Sequence, residues 1–158
     1  MKVIVAEYAG FCFGVSRAVE TVEKTVRANP GTKICTIGKI IHNPTVVRRF
    51  EDAGVSVIDE ETAFRLTEEG NAKNTVAVIR THGIRRDING ALDALAAREP
   101  DFRVVDCTCP YVKKIHKIVS EYSSDDSITF IFGNETHPEV EGIRSYVNGQ
   151  SFVFASAE

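Results

Sequence analysis

The residues of this 158-residue chain best suited to hold a metal or carry protons are four cysteines and four histidines. Two cysteines occupy the same kind of place. Cys12 lies between two glycines in Gly10-Phe11-Cys12-Phe13-Gly14, at the entrance to an amphipathic helix. Cys109 precedes Pro110, a residue suited to the first helical position, so it falls at an N-cap. The positive end of a helix favours thiolate over thiol, and glycines let a ligand approach the backbone closely. Two thiolates at helix starts suit a soft metal centre. Cys107 shares the turn with Cys109 and stays open as a further ligand, although neighbours two apart need not both reach one centre. Cys35, among Ile34 and Ile37, reads as core. His42 precedes Asn43-Pro44, His137 precedes Pro138, and His82 sits in Thr81-His82-Gly83. All three follow apolar strands and lead toward helices, where parallel α/β folds bind ligands, so they suit an anion or a metal. Glu139 shares the rim of His137 as a candidate proton donor, or as a first-turn acid that steadies its helix. His116 falls inside the helix after Cys109 and reads as a surface or packing residue.

The elements that must position these groups repeat. His42 follows Cys12 by 30 residues, and His137 follows Cys109 by 28. Each interval holds a helix, an apolar run (Lys33–Gly38; Thr129–Gly133) and a short connection to the histidine. Each histidine then precedes a short helix, a glycine and a further strand (Val55–Ile58; Ser151–Phe154). Two copies of one αβα unit imply a pseudo-symmetric site between them. Thr75–Ile79 and Phe102–Asp106 read as further strands, and Ile88, Ala91, Leu92, Leu95 and Ala96 mark a helix. The expected fold is α/β, built of pseudo-repeated αβα units with mainly parallel sheets. The first unit is assigned to residues 1–99 and a partial second unit to residues 100–158, with the boundary near Arg98–Asp101. The N-terminal segment Met1–Ala6 reads as a first strand. The first copy holds a strand and a Thr-His-Gly turn with no counterpart in the second, so the chain reads as part of a longer protein.

Composition narrows the function. A net charge of −3 without a basic block argues against nucleic acid as a main partner. No apolar run is long enough to span a membrane. The cysteine spacing is not that of a secreted disulfide framework, which favours a cytoplasmic setting where cysteines serve metals or catalysis. Paired C-x2-C knuckles are lacking, which weighs against a structural zinc module; a non-catalytic anion-binding module is the other alternative.

Five ordered motifs carry a resemblance: Gly10-Phe11-Cys12-Phe13-Gly14-Val15, Ile41-His42-Asn43-Pro44, Thr81-His82-Gly83, Asp106-Cys107-Thr108-Cys109-Pro110 and His137-Pro138-Glu139-Val140-Glu141-Gly142. Together they resemble the 4-hydroxy-3-methylbut-2-enyl diphosphate reductases, iron–sulfur enzymes of the non-mevalonate isoprenoid pathway. The resemblance implies three αβα units around a 4Fe–4S cluster, with Cys12 and Cys109 as two of three ligands and the third outside this chain. It implies that His42, His82 and His137 hold the diphosphate and that Glu139 supplies protons. Such an enzyme reduces an allylic diphosphate to isopentenyl and dimethylallyl diphosphate with electrons from a protein such as ferredoxin or flavodoxin. The 158 residues alone are then expected to hold no complete cluster and to be inactive.

Overall fold

Strands that are apolar on both faces must be covered on both, and the first sheet follows from that requirement. The computed structural model describes residues 2–6, 9–68 and 71–156. Four strands, β1 (Lys33–Ile37), β2 (Val55–Ile58), β3 (Thr75–Ile79) and β4 (Phe102–Asp106), pair in the order β2-β1-β3-β4. Every pairing is parallel.

Alternate residues of these strands feed two cores. On one face Ile34, Val76 and Val78 pack with Ala18, Val19 and Val22 of α1 (Phe13–Ala28) and with Val46 and Phe50 of α2 (Pro44–Asp52). On the other face Cys35, Ile37, Ala77 and Ile79 pack with Ala63 of α3 (Glu60–Arg65) and with Ile88, Leu92 and Leu95 of α4 (Arg86–Arg98). The three-layer arrangement places the carboxyl ends of β1, β3 and β4 along one edge.

From that edge the chain passes through Cys107-Thr108-Cys109 into α5 (Pro110–Tyr122). Then follow β5 (Ile128–Phe132), α6 (Pro138–Ser145) and β6 (Gln150–Phe154). Strands β5 and β6 form a separate parallel pair. The order α5-β5-α6-β6 repeats α1-β1-α2-β2, as the spacing of the motifs anticipates.

One expectation is corrected, and the sheets bear on another. The anticipated division between residues 99 and 100 does not follow the sheets. Strand β4 pairs with β3 from Thr75 opposite Phe102 to Ile79 opposite Asp106, so the first sheet runs through Asp106. Phe102 is 2% exposed in the second core, beneath α3 and α4, and its burial there places the strand in the first sheet. Residues 2–6 form no strand, and Val3, Ile4 and Val5 are 73–78% exposed. An apolar segment becomes a strand only where a sheet edge accepts its hydrogen bonds, and no described strand pairs with this one. Helix α3, opened by the Asp59 side chain accepting from the Thr62 amide at 2.7 Å, is an addition that hydrophobic spacing did not reveal.

Candidate functional site

The three histidines meet. His42 leaves the loop after β1, His82 the turn after β3, and His137 the turn after β5. Their ring centroids lie 4.9 Å apart for His42 and His82, 5.5 Å for His82 and His137, and 6.3 Å for His42 and His137. Residues separated by 40 to 95 positions are thus brought into one cluster by the strand ends.

Each histidine is set by its own local device. Asn43 caps α2, its side-chain oxygen accepting from the amides of Thr45 at 3.1 Å and Val46 at 3.2 Å. His137 itself caps α6: the Glu139 amide donates to its Nδ1 at 3.2 Å. That bond leaves Nε2 as the proton-bearing nitrogen of the neutral ring, free to donate to an anion. His82 precedes Gly83, whose φ of +76° lies in the left-handed region. A Cβ on Gly83 would also stand 2.8 Å from the His116 ring, so the turn admits only glycine. Arg80 braces this turn, donating from Nε to the Gly83 carbonyl at 3.1 Å and pairing with Glu60 at 2.8 Å.

Burial pushes the His82 imidazole down to about 4, and His42, His137 and Arg80 push it the same way. Positive charge is therefore disfavoured on His82. His116, read as surface or packing, is a packing residue. It is 6% exposed, stacks on Tyr146 at 4.2 Å and lies beneath the Gly83 turn.

The two helix-start cysteines share the same edge. Cys12 is the exposed N-cap of α1, and Cys109 is the partly buried N-cap of α5. Gly14, two residues past Cys12, faces the second thiol: a Cβ there would lie 2.8 Å from Cys109 Sγ. The start of α1 and the start of α5 therefore abut through a glycine, and a side chain in its place would displace the sulfur. Neither helix start has a side-chain cap or an acid in its first turn. Their amides remain available to thiolates. By contrast, the starts of α2 and α6 are capped by Asn43 and His137, so near the histidines the imidazoles rather than the first-turn amides offer the free donors.

The other cysteines point elsewhere. Cys107 is fully buried, with Sγ 4.0 Å from the Ala18 carbonyl, and burial pushes its thiol up to about 11. Cys35 lies in the second core, and burial likewise raises it to about 11. Among the described residues, no group of three or more His, Cys, Asp or Glu side chains is arranged to hold a metal ion. Cys12 and Cys109, at two abutting helix starts, are the two described thiols outside the core, and their softness suits a metal centre.

Sequence reasoning missed the groups that join these loops. Arg17, on α1, donates from Nη2 to the Thr108 carbonyl at 2.6 Å. Asp106 accepts from the Thr108 amide at 2.8 Å and pairs with Lys113 at 2.6 Å. Burial raises the Asp106 carboxyl, but its hydrogen bonds to Lys113 and Thr108 and the Lys113 charge together outweigh that and lower it. The Asp-Cys-Thr order signals such a turn; Arg17 carries no comparable signal.

Comparison with known proteins decides the family. The model of the LytB protein family matches residues 3–158. The chain belongs to the LytB family. A 4-hydroxy-3-methylbut-2-enyl diphosphate reductase from Thermoanaerobacter sp. (strain X514) is 41% identical over all 158 residues, which cover 51% of that relative. The reductase of Aquifex aeolicus (strain VF5) is 36% identical over 161 aligned positions, covering 100% of this chain and 51% of the relative. A solved structure of (E)-4-hydroxy-3-methyl-but-2-enyl diphosphate reductase superposes with a TM-score of 0.73 at 34% identity, covering 98% of this chain and 51% of the other. The Plasmodium falciparum reductase superposes with a TM-score of 0.74 at 26% identity, covering 94% and 43%. The α/β fold with its parallel sheet is thus the LytB fold. The chain spans about half the length of the curated LytB relatives it matches. No helix among the described residues is long and apolar enough to cross a membrane.

Proposed function

We propose that this chain carries the diphosphate-binding imidazoles and two cluster-ligating thiolates of a 4-hydroxy-3-methylbut-2-enyl diphosphate reductase. The observation that supports this reading is the meeting of His42, His82 and His137, from three strand ends, within 6.3 Å of one another. A diphosphate offers several anionic oxygens, and three clustered imidazoles offer donors spaced to meet more than one of them. Charge that is unfavourable in the empty cluster becomes favourable beside the anion.

Loss of an allylic hydroxyl with gain of hydrogen consumes two electrons and two protons and releases water. Side chains move the protons but cannot supply the electrons. A 4Fe–4S cluster, when bound by Cys12, Cys109 and a third thiolate from the rest of the protein, supplies electrons and a Lewis acid for the hydroxyl oxygen. Glu139, two residues after His137, delivers a proton to the departing oxygen. A one-electron carrier protein such as ferredoxin or flavodoxin refills the site. The free thiols fit a reducing cytoplasm. The 158 residues alone, with two helix-start thiolates, do not retain the cluster and do not turn over substrate. The two αβα units divide after Asp106, where the chain leaves the first sheet.

Binding and proton delivery separate by mutation of the full-length protein. Glu139→Gln should lower turnover strongly and leave substrate affinity nearly intact, because its interaction is made mainly in the transition state. His42→Ala should weaken binding by about 1.5–3 kcal/mol, the worth of one charge-assisted hydrogen bond. Equal loss of affinity in both variants, measured by calorimetry, refutes the division of roles.

A further inference from the structure

The loop that carries His42 has no regular structure between the end of β1 and the start of α2. Something must fix it 4.9 Å from the ring of His82, since an untethered loop would sample many ring positions. The tether lies at the residue before His82. Thr81, 5% exposed, donates from Oγ1 to the Ile40 carbonyl at 3.0 Å, and its amide reaches the same carbonyl at 3.3 Å. The Thr81 carbonyl in turn accepts the Cys109 amide at 2.9 Å.

One buried residue therefore joins three site-bearing segments: the His42 loop through Ile40, the His82 turn through its own backbone, and the Cys109 turn. We propose that Thr81 is a positioning residue, whose hydroxyl holds the His42 loop at the ring distance from His82 at which the two imidazoles act together on one anion. The anion part of this statement rests on the proposed function; the ring placement does not.

The hydroxyl does what the backbone alone cannot. The Thr81 amide fixes one direction at the Ile40 carbonyl, and the loop can pivot about that single bond. A second donor on the other lone pair removes the pivot. Ile40 and Ile41 are buried at 2% and 4%, so the loop keeps its apolar anchor if the hydroxyl is lost. What changes is the aim of the ring two residues on from Ile40. Valine preserves the shape of threonine and removes the donor. Serine keeps the donor and removes a methyl group.

The experiment compares Thr81→Val, Thr81→Ser and wild type in this chain, with Thr81→Ala as a second donorless variant should valine impair folding. Two readouts are taken: the nuclear Overhauser effect between the His42 and His82 ring protons without ligand, and the affinity for inorganic pyrophosphate by calorimetry. Thermal melts report the purely structural cost. The expected result is a ring–ring signal in wild type and Thr81→Ser that is weakened in the valine and alanine variants. Pyrophosphate affinity should fall about three- to tenfold, the worth of about one net hydrogen bond, with serine restoring it. A donorless variant that keeps the wild-type ring signal overturns the proposal, even if its melting temperature drops. Wild type that shows the ring signal but binds no pyrophosphate refutes the diphosphate reading, and the ring comparison still decides the role of Thr81.

Discussion

Protonation of His82 should make this protein lose stability in mild acid, by an amount that follows from its surroundings. Burial, then His42, His137 and Arg80, lower its pKa from 6.5 to about 4. In the unfolded chain the group is ordinary and takes up its proton near 6.5; in the folded chain it resists until about 4. Between those values the unfolded state binds the extra proton, so folding stability falls as the pH falls. Above the window the group has no effect, and below it the full cost persists. A shift of this size corresponds to about 3 kcal/mol if taken whole. The ring is partly exposed, so about 2 kcal/mol between pH 7 and pH 4.5 is the working magnitude. The assay is urea denaturation at a series of pH values for wild type and His82→Gln. Burial also lowers His116, and that contribution is common to both proteins and cancels in the difference. Stability of wild type should decline more steeply than that of the variant, the two profiles converging or crossing toward low pH. Parallel profiles refute the claim that burial and its neighbours penalise positive charge on His82.

Two further perturbations address the thiols. Gly14→Ala puts a methyl group 2.8 Å from Cys109 Sγ; overpacking of about 1–2 kcal/mol, partly offset by the better helix propensity of alanine, leaves a net loss of about 1 kcal/mol in denaturation. The same variant should show weaker thiolate-to-cadmium absorbance than wild type, and unchanged absorbance contradicts the proposed adjacency. Maleimide labelling at pH 8 should modify Cys12 first and Cys109 more slowly, whereas Cys35 and Cys107, buried and raised to about 11, react only on unfolding. Peptide mapping that finds Cys107 among the rapidly labelled residues would reverse its assignment to the core.

Much of the fold is legible in the sequence where interactions are local or repeated. The runs Lys33–Gly38 and Thr75–Ile79 read as buried parallel strands because they are mostly apolar rather than alternating, and they lie at the centre of the sheet. The matched spacing of Cys12 with His42 and of Cys109 with His137 marks equivalent strand ends and helix starts, and the histidines do converge. What escapes is non-local. Phe102–Asp106 is recognisable as a strand, but its own residues do not say which sheet edge will take it. Lys2–Ala6 has a strand's composition, yet the described strands offer it no pairing. Arg17 looks like any charged residue on a helix face, and its bond to the Thr108 carbonyl exists only once α1 packs against a turn 91 positions away. Thr81 is likewise visible as part of a Thr-His-Gly turn, but its bond partner is 41 residues distant.

The most direct test of the central claim uses a protein of the length of the LytB relatives that carries this sequence. After anaerobic reconstitution with iron and sulfide, it is supplied with 4-hydroxy-3-methylbut-2-enyl diphosphate and a strong one-electron reductant, and the products are identified by mass spectrometry. The account predicts isopentenyl and dimethylallyl diphosphate, with formation lost when Cys12 or Cys109 is replaced by serine and largely kept when Cys107 is. An intact cluster that yields neither product, or turnover that survives loss of Cys109 but not of Cys107, would contradict it.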